Sequence, residues 1–261
     1  MLAAGRRNLL MLLPVGLLGC SLDRTNDFAA WPADGTDYEI EVLPVVICAS
    51  YARGDDVYLG TPDGRIFQAS DSRFAEPWTD LGNPLDTGPR LLFATGTGVV
   101  FAGADHHPVY RTTDGGGTWS LSLDTPVWRM DEDGAGGLYA GNYTQGDDDI
   151  ATVYKSADGG ATWVTIWTDP PNRHVHAVRW DDVDGRLYIA FGDGALRGRA
   201  YSDDRGATFH DLARHSRDGP TDVACTPDYV LLASDNGSGE LCRVDRATGF
   251  AETLLGNSQY L

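Results

Sequence analysis

Two histidine pairs, a run of three aspartates and three scattered arginines are the residues of this sequence best equipped for chemistry. His106-His107 and His174-x-His176 are imidazole pairs of the kind that bind a metal. Neither pair has a carboxylate or a third histidine at a recognised spacing, so solvated loop histidines are the expectation for all four. Asp147-Asp148-Asp149 sits in a polar stretch and is the best cation candidate, with Ca²⁺ the ion its oxygens would suit. Arg90, Arg173 and Arg197 can converge on a carboxylate ligand through bidentate bonds, against the simpler reading of ordinary surface arginines. Tyr143 and Glu240 form a conceivable nucleophile and acid pair, with no spacing motif behind it. Glutamate is otherwise confined to Glu39, Glu41, Glu76, Glu132 and Glu252. No glycine-rich phosphate loop opens a helix, and no nucleophile elbow is present.

The elements that must position these residues are set by a repeat. Thr112-Thr113-Asp114-Gly115-Gly116-Gly117-Thr118-Trp119 returns as Ser156-Ala157-Asp158-Gly159-Gly160-Ala161-Thr162-Trp163 and as Ser202-Asp203-Asp204-Arg205-Gly206-Ala207-Thr208-Phe209. Each copy reads as a tight turn between strands. Glycine takes backbone angles that other residues resist, and the aspartate accepts hydrogen bonds from nearby amides. The closing aromatic, Trp119, Trp163 or Phe209, is expected to pack inward where the next strand begins, contributing about 2 kcal/mol of burial. Asp114 to Asp158 is 44 residues and Asp158 to Asp204 is 46, the length of one four-stranded propeller blade. Weaker copies at Asp71 and at Asp245-Arg246-Ala247-Thr248-Gly249-Phe250 extend the period both ways, so five blades are visible.

These octets resemble the Asp box, Ser/Thr-x-Asp-x-Gly-x-Thr-Trp/Phe, the repeat of the sialidase-like (BNR-repeat) β-propellers. The resemblance covers residues 36–255 and implies an all-β fold, a β-propeller of four-stranded blades. It also implies that the boxes are staples on the face away from any catalytic centre. Among the family, sialidases use an arginine cluster, a tyrosine nucleophile with a glutamate partner and an acidic aspartate, with an Arg-Ile-Pro signature near the first blade. That signature is absent, and Gly88-Pro89-Arg90 does not replace it, which weighs against catalysis. Other Asp-box propellers serve photosystem or secretion assembly.

Between the boxes, strands alternate as half-buried strands do, most clearly in Val57–Gly60, Val99–Gly103, Leu138–Gly141, Leu187–Ala190 and Val230–Ala233. Their small last residues suit the crowded centre of a blade. The run from Trp180 to Gly185 has the composition of a calcium loop, but a hairpin turn explains it more simply. In a propeller with boxes between third and fourth strands, the opposite face is built by the loops between second and third strands and between blades. There the resemblance gathers Arg90, Asp105-His106-His107, Asn142 to Asp149, Asn172-Arg173-His174-Val175-His176, Asp193, Arg197, Arg217, Asp222, Asp235-Asn236 and Glu240.

A net charge of −18 makes nucleic acid and anionic membrane surfaces unsuitable partners. Arg6 and Arg7 precede an apolar run from Leu9 to Leu18, too short to span a bilayer. Leu17-Leu18-Gly19-Cys20 resembles a bacterial lipobox, which implies a signal peptide over residues 1–19, lipidation of Cys20, a tether over 20–35 and the propeller over 36–261. Gly5-Arg6-Arg7-Asn8-Leu9-Leu10 also resembles a twin-arginine signal, so the export route stays open. The protein is therefore expected outside the cytoplasm, at the outer membrane, in the periplasm or at the cell surface. Cys48 and Cys225 occupy equivalent inner-strand places and are expected as buried apolar thiols; with Cys242 they allow at most one disulfide. The strand Tyr38–Leu43 duplicates an outer strand that Ala251–Leu255 already supplies. An open edge is an aggregation liability, and this favours a sixth or seventh blade beyond Leu261. The functional expectation is a lipid-anchored module that binds a glycan or a partner protein on the face opposite the boxes. Its alternatives are a sialidase-like glycosidase and an assembly factor for a membrane or secretion complex.

Overall fold

The computed structural model describes residues 46–69, 77–146, 149–170, 172–193, 196–214, 220–234 and 240–255. The segment containing Cys20, the Tyr38–Leu43 strand, Asp71, Asp147, Asp148, Arg217 and Asp235-Asn236 lie outside them.

The described residues fold into antiparallel four-stranded sheets, each a meander in chain order. The first sheet holds β1 (Ala49–Arg53), β2 (Asp56–Gly60), β3 (Ile66–Ala69) and β4 (Thr79–Gly82). The second holds β5 (Leu91–Ala94), β6 (Val100–Gly103), β7 (Val109–Thr112) and β8 (Ser120–Leu123). The third holds β9 (Val127–Glu132), β10 (Leu138–Asn142), β11 (Ala151–Ser156) and β12 (Val164–Asp169). The fourth holds β13 (Val175–Asp181), β14 (Arg186–Phe191), β15 (Gly198–Ser202) and β16 (His210–Arg214), and the fifth β17 (Asp222–Cys225), β18 (Tyr229–Ala233), β19 (Leu241–Asp245) and β20 (Ala251–Leu255). The chain forms two compact units, one ending at Pro89 and containing β1–β4, the other starting at Arg90 and containing β5–β20.

In the second unit the inner strands β5, β9, β13 and β17 lie side by side in chain order. They fan tightly enough for Arg129 of β9 to pair with Asp222 of β17 at 3.2 Å, past the intervening β13. Arg179 of β13 reaches both neighbours, donating to Val223 O at 3.0 Å and pairing with Asp131 at 3.4 Å.

Most second strands are not half-buried as their alternation suggests. β10 is buried at every position and β14 at all but its first, because neighbouring sheets cover both of their faces, and β6 is buried throughout. β18 keeps the alternation, with Val230 and Leu232 buried. Small residues are needed for the close approach: a Cβ on Gly141 would stand 2.5 Å from Val175 Cγ1 of the next blade. Tyr139, Val153, Val175, Val178, Leu187, Ile189 and Phe191 form one core between the third and fourth sheets. The outer strands are more open, with Leu121 and Val164 exposed.

Each box is a turn closed by its own side chains. Asp114 accepts from the Thr118 amide at 2.9 Å and from the Thr118 hydroxyl at 2.8 Å, while Thr112 Oγ1 accepts from the Gly116 amide at 2.9 Å. Asp158 and Asp204 repeat the pattern with Thr162 and Thr208. Asp245 makes a reduced version, accepting from the Thr248 amide and hydroxyl at 2.8 Å each.

Trp163 and Phe209 are half-buried and face the preceding blade, a correction to the inward packing read from the sequence. Trp163 Nε1 donates to Ser122 Oγ at 3.1 Å, Ser122 Oγ donates to Gly160 O at 2.7 Å, and Phe209 packs 6.1 Å from the Trp167 ring. Gly160 sits so close to β6 that a Cβ would lie 2.5 Å from Phe101 Cε1. The second and third full boxes thus fasten their blades to the ones before them.

The run from Trp180 to Gly185 is a hairpin turn in which Asp181 and Asp184 are paired with Arg246 of the fifth sheet. Cys48 lies just before β1 and is exposed, and Cys225, at the end of β17, is only partly buried. Neither is the buried apolar thiol expected, because the first sits outside the strand and the second at its edge. Cys48, Cys225 and Cys242 are free thiols.

Candidate functional site

In the second unit the meander places the starts of β5, β9 and β13, and the loops after β6, β10 and β14, at the end opposite the boxes. Four side chains from three blades stack there in a row. The Arg90 guanidinium, before β5, lies 4.9 Å from the centre of the Trp128 ring. Trp128, at the start of β9, stacks on Tyr143, after β10, with centroids 3.4 Å apart and planes 8° from parallel. Tyr143 stacks in turn on His174, just before β13, at 4.4 Å and 12°. A backbone bridge between Tyr143 and His174 and the bond from the Tyr143 amide to Pro126 O, 2.7 Å, fix the row.

Acidic residues tie both ends of the row. Asp105, in the loop after β6, pairs with Arg90 at 3.2 Å and accepts from Trp128 Nε1 at 3.2 Å. Asp193, in the loop after β14, pairs with Arg173 at 3.0 Å and faces two imidazoles, His174 Nε2 at 3.1 Å and His176 Nε2 at 3.2 Å. His176 is edge-on to Tyr143, His174 and Trp128.

The electrostatics of this end are uneven. Partial burial works to raise the Asp193 carboxyl, but His174, Arg173 and His176 outweigh it and hold the group below the usual carboxylate range. Burial, reinforced by His174, pushes His176 below the ordinary histidine value against the pull of Asp193, so the neutral imidazole is favoured. His174, His176 and Asp193 each offer a donor atom, all within 4.8 Å of one another, and among the described residues they form the group suited to a metal.

The structure therefore brings together Arg90, Tyr143, Arg173, His174, His176 and Asp193 from the sequence candidates. Several expectations are corrected. His174 and His176 are not solvated loop residues, since their side chains are 2% and 5% exposed. Their neighbours Tyr143 and Trp128 come from the preceding blade, which local sequence does not reveal. The arginines do not converge on a shared ligand position, because Arg90 and Arg173 are each paired with an aspartate of the same face; Arg197 is half-buried beside Leu196. Glu240 does not join Tyr143: it lines a cavity of about 170 Å³ with Arg199, Pro220, Leu232 and Cys242, none of them part of the stack.

His106 is exposed at the tip of the turn after β6, with φ at 62°, and His107 is half-buried. Asp149 accepts from the Gly146 amide, and its two acidic neighbours lie outside the described residues. Sequence reasoning missed Trp128. The signal was available as a large aromatic at the start of an inner strand, beside the Pro126 carbonyl that anchors Tyr143.

A family model described as BNR/Asp-box repeat matches residues 110–121, the first full box with the strand before it. No curated protein matches the sequence. Solved structures share the fold at low identity. A chain of a nidogen/laminin complex superposes with a TM-score of 0.55 at 14% identity, over 76% of this chain and 75% of that one. An ancestral GH74 enzyme superposes with a TM-score of 0.63 at 15% identity, over 81% of this chain, which spans only 32% of the enzyme. YCF48 bound to a D1 peptide superposes with a TM-score of 0.55 at 19% identity, over 82% of this chain and 70% of that one. The repeats, the sheets and these likenesses define the class: the chain is an all-β protein, a β-propeller of four-stranded blades built on BNR/Asp-box repeats.

Proposed function

We propose that the chain is an exported, lipid-anchored binding module whose ligand is a protein or peptide held on the face opposite the Asp boxes. The observation that carries this is the closed row Arg90, Trp128, Tyr143, His174. Trp128 lies between Arg90 and Tyr143, and Tyr143 between Trp128 and His174, so no sugar ring can stack on either, and Arg90, Asp105, Arg173 and Asp193 flank the row. Such mixed charge around a rigid aromatic centre suits a polar polypeptide surface. Two of the structural neighbours carry protein or peptide in their complexes, which supports the same class of ligand.

The test compares a glycan array with cross-linking and affinity purification from the source cells, using wild-type protein and Arg90→Ala. A polypeptide partner recovered in stoichiometric amount, and at least tenfold less with Arg90→Ala, is the expected result. Glycan binding that depends on Arg90 would overturn the choice of ligand. Export and anchoring rest on the lipobox resemblance; Cys20→Ser should abolish fatty-acid labelling of the mature protein. A glycosidase is the second reading, supported by the fold shared with the GH74 enzyme. It requires turnover of a fluorogenic sialoside or glucoside that disappears in Glu240→Gln.

A further inference from the structure

We propose that His174, His176 and Asp193 bind a divalent transition-metal ion, Zn²⁺ foremost, with its open side towards solvent. The assignment is independent of what the rest of the face binds.

Hydrogen bonding makes the case at His174. Its Nδ1 stands 2.9 Å from Thr144 O, and a carbonyl only accepts, so Nδ1 carries the proton. Nε2, the ring's other nitrogen, is buried and stands 3.1 Å from Asp193 Oδ2 with no further partner. An imidazole nitrogen and a carboxylate oxygen so placed can take a metal ion in exchange for a shared proton. The Thr144 carbonyl is also the usual kind of outer partner for a metal-bound imidazole, fixing tautomer and ring orientation. Thr144 is itself fixed, its hydroxyl donating to Arg173 O at 2.9 Å.

His176 is arranged differently. Its Nε2 faces two acceptors, Gly192 O at 3.1 Å and Asp193 Oδ1 at 3.2 Å, and its Nδ1 is buried and unpartnered. To bind the ion, Nε2 must give up the proton it offers Gly192 O, which Nδ1 can take, so His176 is the weaker of the two imidazole ligands.

The dimensions suit zinc. Ligands about 2.0–2.1 Å from a tetrahedral zinc stand about 3.3 Å from one another. His174 Nε2 stands 3.1 Å from Asp193 Oδ2 and His176 Nε2 3.2 Å from Asp193 Oδ1, separations of that size with one carboxylate oxygen turned to each imidazole. Two imidazoles and a carboxylate are donors for zinc and its neighbours in the first transition row, whereas Ca²⁺ takes six to eight oxygens. Asp193 is half-exposed and the histidines are buried behind it, so a fourth position would open to solvent or to a bound partner. Arg173 works against the ion, because it holds Asp193 Oδ2 at 3.0 Å.

The test is equilibrium dialysis of the purified chain against Zn²⁺, with bound metal measured by atomic absorption and folding checked by circular dichroism. Wild-type protein should hold one zinc per chain, Asp193→Asn should bind at least tenfold more weakly, and Arg173→Ala should bind more tightly. Because His174 is buried, the half-exposed Asp193 carries the test. Zinc retained undiminished by Asp193→Asn, zinc lost instead in His106→Ala, or no zinc on the wild-type chain would each overturn the assignment.

Discussion

Asp114 and Asp204 owe their acidity first to one threonine each, with the Thr112 and Ser202 hydroxyls adding to it. The Thr118 amide and hydroxyl, and the Thr208 hydroxyl and amide, bring the two carboxyls from the usual 3.8 down to about 2. Asp158, held by the Thr162 hydroxyl and amide, is lowered further. A folded-state value below the unfolded one means the boxes stabilise the fold above about pH 4, and that this contribution is lost as the pH falls to about 2. The midpoint of urea unfolding should therefore drop across that window. A variant with all three aspartates changed to asparagine should start from a lower midpoint at neutral pH and lose less on acidification; an unchanged acid profile would remove the boxes from the stability of the fold. Gly160 tests the same turn sterically. It has a φ of +78° and a virtual Cβ 2.5 Å from Phe101, so Gly160→Ala should destabilise by about 3 kcal/mol in denaturant titration.

At the scale of the strand, position within the blade decides how much a side chain matters. Leu187 of β14 is fully buried between two sheets, and Leu187→Ala should cost about 3 kcal/mol. Val164 of β12 is 61% exposed, and Val164→Ala should change stability by less than about 0.5 kcal/mol. Similar losses at both sites would contradict the two-sided burial of the second strands. The same geometry explains what the sequence made legible. The boxes name themselves because the bonds that close each turn lie inside eight residues, and their spacing sets the blade. The burial of His174 and His176 was not legible, since their covers, Tyr143 and Trp128, stand some thirty to fifty residues away in another blade. The two-sided burial of β10 and β14 was hidden for the same reason: it is a property of neighbouring sheets and not of the strand.

At the scale of the molecule, the second unit divides its work between two ends. The box end binds blade to blade through Ser122, Gly160 and Trp163, and through Lys155, whose Nζ donates to Arg205 O of the next blade at 2.8 Å. The other end concentrates Arg90, Tyr143, Arg173, His174 and Asp193 on the connections between strands, with Trp128 and His176 at the second positions of β9 and β13. That separation leaves the second end free to be specialised, and it is the surface on which a ligand is proposed to dock. The most direct measurement is to map which end the recovered partner touches, by cross-linking followed by mass spectrometry on the complex. Cross-links concentrated on the loops after β6, β10 and β14, and lost with Arg90→Ala, are the predicted result. Cross-links concentrated around Thr113, Ala157 and Asp203 at the boxes, and indifferent to Arg90→Ala, would contradict it.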